Sequence, residues 1–231
     1  MTLQLAEKKK ITVDDLQYIT LKHGAHRSRK SGVCAMEAAA WLAGREHTDS
    51  PVCVSPVIAF FIRIWNDTLP SDEDRNRLLK PLLPIILETK TSSKAESKRA
   101  WLAIDWLART YTPAFFDLIP SLSPHAEALR KLKPFTEKTA EKNQKVLDDA
   151  RKAASAAWDA AGAAAGAAAG AAAGAAAGDA AWAAAGDAAG AAAGDAAWVA
   201  TWAAARANLA PTIATLQESA QNLVRRMVKI G

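Results

Sequence analysis

Cysteine is scarce in this chain: 231 residues hold two, Cys34 and Cys53. A disulfide framework of the kind that staples small secreted domains is thereby excluded. No charged-then-apolar leader follows Met1, and Lys8, Lys9 and Lys10 occupy the stretch where an apolar signal core would lie. A reducing, cytoplasmic setting is the expectation. Catalytic signatures are missing as well, with no Gly-rich phosphate loop, no Gly-x-Ser-x-Gly elbow and no His-Glu-x-x-His pair. No cofactor or resident metal is implied, and enzymatic activity is not the expectation.

Half of the residues are hydrophobic and the formal net charge is +5. Much of that half is alanine, which buries little area, so the core must reside in fewer residues than the percentage suggests. Charge is segregated. Lys and Arg outnumber Asp and Glu by 25 to 19 before Ala157, and the count is 4 to 5 from there on. Nine of the ten prolines lie between Pro51 and Pro134, whereas eight of the twelve glycines lie between Gly162 and Gly194. Two regions with different rules therefore share the chain.

The first region reads as short helices, because apolar residues recur at three and four while strand-like alternation is hard to find. Thr12 with Asp15 predicts a helix carrying Val13, Leu16 and Ile19, and Gly44 is placed to end another that runs from about Val33. Ser55 before Pro56 predicts a cap and first turn for the run Val57, Ile58, Phe60, Phe61, Ile64 and Trp65, expected to be the central helix. Ser71 with Asp74, and Ser93 with Glu96, repeat the start signal, and Pro113, Pro120 and Pro124 bound the pieces that follow. From Glu137 the helical pattern lengthens, with 35 alanines among residues 153–207. After Pro211, Ile213, Leu216, Ala220, Leu223, Met227 and Ile230 form one apolar face of a final helix. The fold class expected is all-α: a compact multi-helix body over 1–135, a long or broken Ala/Gly-rich segment over 136–209 and an amphipathic helix over 210–231 packed on the body.

Within the second region every fourth residue forms one column: Trp158, Gly162, Gly166, Gly170, Gly174, Gly178, Trp182, Gly186, Gly190, Gly194, Trp198 and Trp202. A helical glycine costs about 1 kcal/mol against alanine, so the column calls for something to offset its loss of propensity. Close approach of a neighbouring backbone or indole is the proposed offset, which makes these positions candidate helix-packing residues. A period of four advances about 40° per unit on a straight helix, so a straight partner cannot follow the column. Alternatives are a tolerated low-complexity tract, or a membrane span, for which Ala and Gly offer too little apolar area. No membrane association is expected.

Reactive side chains concentrate in His23, His26, Cys34, Glu37, His47, Asp49 and Cys53. Thiolates and imidazoles suit zinc, and a cysteine with His47 as base and Asp49 as orienter suits nucleophilic catalysis, yet no close Cys pair is present. The competing reading makes Cys34 a buried small hydrophobe, Glu37 the centre of a buried hydrogen-bond network and Asp49 or Ser50 the cap before Pro51. The stretch Lys22, His26, Arg27, Arg29 and Lys30 contains no acid and could bind a nucleotide or nucleic acid, although no aromatic residue between Tyr18 and Trp41 is available to stack bases.

The run Gly32-Val-Cys34-Ala-Met36-Glu37-Ala-Ala-Ala-Trp41-Leu-Ala-Gly44, then Asp49-Ser-Pro51-Val-Cys53-Val-Ser-Pro56-Val-Ile58, then Trp65-Asn66-Asp67, resembles a family of uncharacterised bacterial and bacteriophage proteins. Leu79-Lys-Pro81, Asp105-Trp106-Leu107, Tyr111-Thr-Pro113, the closing Pro211 helix and an Ala-rich four-residue repeat extend the resemblance over nearly the whole chain. It implies no activity. The leading expectation is a non-enzymatic structural or interaction protein that meets a protein partner or copies of itself. An anionic-ligand binder through residues 22–30 and a thiol or zinc site around Cys34 and Cys53 are the alternatives.

Overall fold

The computed structural model describes residues 3–176 and 209–231, and the fold is all-α: a compact helical body with a C-terminal helix. The contacts divide the chain into two compact units. One holds Met1–Trp106, Phe135–Glu137 and Gln217–Gly231; the other holds Leu107–Pro134 and the described residues between Lys138 and Leu216.

The first unit opens with one turn, α1 (Leu3–Ala6), and a 3-10 turn, Asp14–Tyr18. The capping signal before that turn is formed: Thr12 N donates to Asp15 Oδ2 at 2.9 Å and Asp15 N donates to Thr12 Oγ1 at 3.3 Å. The longer helix expected here is absent. Leu16 and Ile19, three residues apart, reach the core through a single turn, after which Leu21 forms a parallel bridge with Val33; Val13 stays 55% exposed.

α2 (Ala35–Leu42) starts two residues later than expected because its cap is Cys34, and it ends at Gly44, whose φ of +66° suits the left-handed stop. Every residue of α2 is buried. A helix buried on all sides is the centre of a fold, and alanine at 35, 38, 39 and 40 lets neighbours approach from every direction. The helix expected to be central, α3 (Pro56–Thr68), instead buries one face, Ile58, Ala59, Ile62 and Asn66, and leaves Phe60 and Ile64 exposed. Its start follows the sequence: Ile58 N donates to the Ser55 hydroxyl, with Pro56 in the first turn.

α4 (Asp72–Leu79) is capped by Ser71, which accepts from Asp74 N at 3.1 Å. α5 (Ser93–Trp106) is capped one residue earlier than read, since Ala95 N donates to Ser92 Oγ at 3.2 Å. Glu96 is thereby freed from the expected box and binds the Ser55 hydroxyl and Arg99 instead.

In the second unit a π-helical turn, Leu107–Tyr111, leads into α6 (Thr112–Phe116) and α7 (Ser123–Arg130), with Arg130 paired to Asp117. α8 (Glu137–Ala176) then runs unbroken for 40 residues. Gly162, Gly166, Gly170 and Gly174 are therefore helical. What faces them, the side chain of Trp158, and the column from Gly178 through Trp182, Gly186, Gly190, Gly194 and Trp198 to Trp202 lie outside the described residues.

The C-terminal helix, α9, is described over 209–228, with Leu216, Ala220, Leu223, Val224 and Met227 buried. Ile213, expected on the same face, is 38% exposed. Within the first unit the helix is tied down by buried donors: Arg99 Nε reaches the Met227 carbonyl at 3.1 Å and its Nη2 the Ile230 carbonyl, while Gln221 donates to the Leu78 carbonyl at 2.8 Å and Trp106 to Ser219 Oγ at 2.7 Å. Among the described residues no helix is long and apolar enough to cross a membrane.

Candidate functional site

The irregular stretch 20–34, which carries most of the polar residues singled out by sequence, has little regular structure to satisfy its backbone. Ordering an irregular residue costs roughly 1–2 kcal/mol of backbone entropy, so a fixed loop needs compensation. Side chains from three helices supply it. Asn76 on α4 accepts from Leu21 N at 2.9 Å, Asn66 on α3 donates to the Lys22 carbonyl at 3.0 Å, and Asp67 accepts from Gly24 N at 2.8 Å. Asn66 Oδ1 also takes Ala35 N at 3.2 Å, so one amide joins the loop to the first turn of α2.

Glu37 on α2 completes the restraint. Its side chain is 1% exposed, and it accepts from His26 N at 2.6 Å, His26 Nδ1 at 2.9 Å and Cys34 N at 2.8 Å. His47 Nε2 lies 3.4 Å from the same carboxylate and 2.9 Å from the His26 carbonyl. Since a carbonyl only accepts, His47 Nε2 donates to it, and the buried Nδ1 has no hydrogen-bond partner among the described residues. The expectation that Glu37 centres a buried network matches this geometry.

The two cysteines do not converge on chemistry. Cys34 caps α2, its sulfur accepting from Glu37 N at 3.5 Å. Burial, reinforced by the nearby Glu37 charge and only partly opposed by backbone N–H groups, pushes this thiol up to about 12, so it is not a thiolate near neutrality. Cys53 is buried and free, and its carbonyl accepts from Lys90 N at 3.3 Å. Among the described residues no three or more His, Cys, Asp or Glu side chains are placed to share a metal ion. The Asp49 carbonyl receives Arg63 at 3.2 Å, and Ser50 N donates to Thr48 Oγ1 at 3.1 Å.

The basic stretch is divided between structure and surface. Arg29 donates to the carbonyls of Lys8 and Arg45, both at 2.9 Å, and its guanidinium lies 5.0 Å from the Trp41 ring centre. Lys22 pairs with Asp72, and His26 belongs to Glu37. Arg27, Lys30 and His23 are exposed. Lys22 and Lys30 meet Thr20, Ser31 and Gly32 around a groove of about 380 Å³. Thr20, Ser31 and the anchoring residues Asn66, Asp67 and Asn76 were not picked out as functional by sequence; Asn66 and Asp67 appeared only as a motif. No protein-family model, curated protein or solved structure matches the chain.

Proposed function

We propose that this chain is a non-enzymatic structural or protein-interaction protein of the reducing cytoplasm, a member of the bacterial and bacteriophage group it resembles, meeting a protein partner or copies of itself. One observation carries the reading: His26, Cys34, Glu37 and His47 are committed to holding the loop 20–34 and the start of α2. Glu37 is buried and engaged by three donors of His26 and Cys34, and Cys34 is a buried neutral cap. A general base or nucleophile needs access to a reacting atom, which a fully buried and hydrogen-bonded group lacks. Free, buried cysteines agree with a reducing compartment.

Thiol labelling of the folded chain tests this. Both cysteines are expected to stay unlabelled by iodoacetamide at neutral pH and to react once urea unfolds the chain. A thiol in the folded protein that reacts faster than free cysteine would overturn the reading in favour of a nucleophilic site at Cys34 or Cys53.

A further inference from the structure

The groove formed by residues 20–22 and 30–33 is used neither by the network around Glu37 nor by the helix packing. We propose that it binds a small phosphate-bearing anion, with the Lys22 and Lys30 ammonium groups as counter-charge and the Thr20 and Ser31 hydroxyls as hydrogen-bond partners. The inference goes beyond the interaction role above and does not depend on it.

Four observations carry it. The charged side chains lining the groove are both cationic, and two hydroxyls, those of Thr20 and Ser31, stand among its seven lining residues. A volume near 380 Å³ lies at the small end of ligand sites. The backbone on one side of the groove is fixed before any ligand arrives, by Asn76 on Leu21, Asn66 on Lys22 and the Lys22 N–H to Val33 carbonyl bond at 2.9 Å, so ordering is left to the side chains. Gly32 contributes no side chain at the rim, and its φ of +144° is one that other residues rarely adopt.

Lys22 is paired to Asp72, yet that pairing does not block the site. Asp72 is also held by Arg75 Nη1 at 2.8 Å, so the lysine can turn toward an anion without stranding the carboxylate. Ser31 donates to the Ser28 carbonyl at 2.8 Å and would rotate its hydroxyl to the ligand. No aromatic ring lines the groove, which favours a compact phosphate group over a stacked nucleic-acid strand.

Calorimetric titration of the full chain with pyrophosphate at low salt tests the proposal. Saturable one-to-one binding is expected, weakened about ten-fold or more by Lys30→Ala, the worth of one charge-assisted contact, and lowered steeply by added salt. Lys30 is exposed, so the variant should melt like the parent. Lys138→Ala on α8 removes an equal charge elsewhere and should leave binding unchanged. Failure to saturate, equal weakening by Lys138→Ala, or tight binding of a single-stranded oligonucleotide without binding of pyrophosphate would each overturn it.

Discussion

Cys34 and Glu37 cap each other: the carboxylate takes Cys34 N at 2.8 Å while the sulfur takes Glu37 N at 3.5 Å. The same carboxylate holds His26 through two bonds, so a single side chain starts α2 and fixes the loop before it. Glu37→Ala leaves the Cys34 and His26 donors without an acceptor. Removing the acceptor from buried donors costs about 1–3 kcal/mol for each, so a loss on the order of 3 kcal/mol is expected in urea unfolding. Glu37→Gln keeps the shape and one acceptor oxygen and should lose about half as much. A Glu37→Ala variant as stable as the parent would show that the loop is held by other means.

Two glycines in the loop separate backbone strain from crowding. Gly24 has φ +73° with nothing within 4 Å of an added Cβ, while a Cβ on Gly32, at φ +144°, would collide with the His26 imidazole. Gly24→Ala should cost about 1 kcal/mol, the ordinary penalty of the left-handed region. Gly32→Ala must in addition displace the imidazole from Glu37, so its loss in thermal melting should be the larger of the two. Equal losses would mean that the ring moves aside freely.

Signals confined to a few residues were legible in sequence. Ser55 with Pro56, Ser71 with Asp74, and Gly44 each mark a helix end because the partner atom lies within three or four residues. Cys34 escaped notice as a cap, being outside the Ser, Thr, Asp and Asn set that dominates this position. The loop's anchors were hidden for a different reason: Asn66 reaches Lys22 and Asn76 reaches Leu21 across more than forty residues, and no local pattern encodes such a pairing. Arg29 looked like a free cation for the same reason, because the carbonyls of Lys8 and Arg45 meet it only in the fold.

Arg99 shows how the C-terminal helix is secured. Its side chain is 1% exposed, donating to the Met227 and Ile230 carbonyls and to Glu96 Oε1 at 2.6 Å. Arg99→Lys keeps the charge but loses the planar fork that reaches several acceptors at once. Limited proteolysis should therefore release the last turn of α9 faster in Arg99→Lys than in the parent, and faster still in Arg99→Ala. Identical digestion of all three would assign the anchoring to Gln221 and Trp106 alone.

Acid should loosen the loop 20–34 through Asp67 and Asp72. For Asp67, burial alone would raise the carboxyl, but the Asn66 amide, the Gly24 N–H and the positive charges of His23 and Arg75 outweigh it and hold it below the ordinary carboxylate range. Asp72 is lowered chiefly by its bond to Lys22, with Arg75 adding to the effect. A carboxyl whose folded value is depressed stabilises the fold wherever it is ionised, and that contribution is lost as pH falls through the folded value. The loss is therefore expected below about pH 4, with none between pH 6 and 8 from these two groups. Amide exchange at Gly24, corrected for its intrinsic pH dependence, should lose protection in that acid window, and Asp67→Asn should remove most of the change because the amide oxygen accepts without titrating. Protection that stays constant to pH 3 in the parent would show that the Gly24 bond does not depend on the ionised carboxylate.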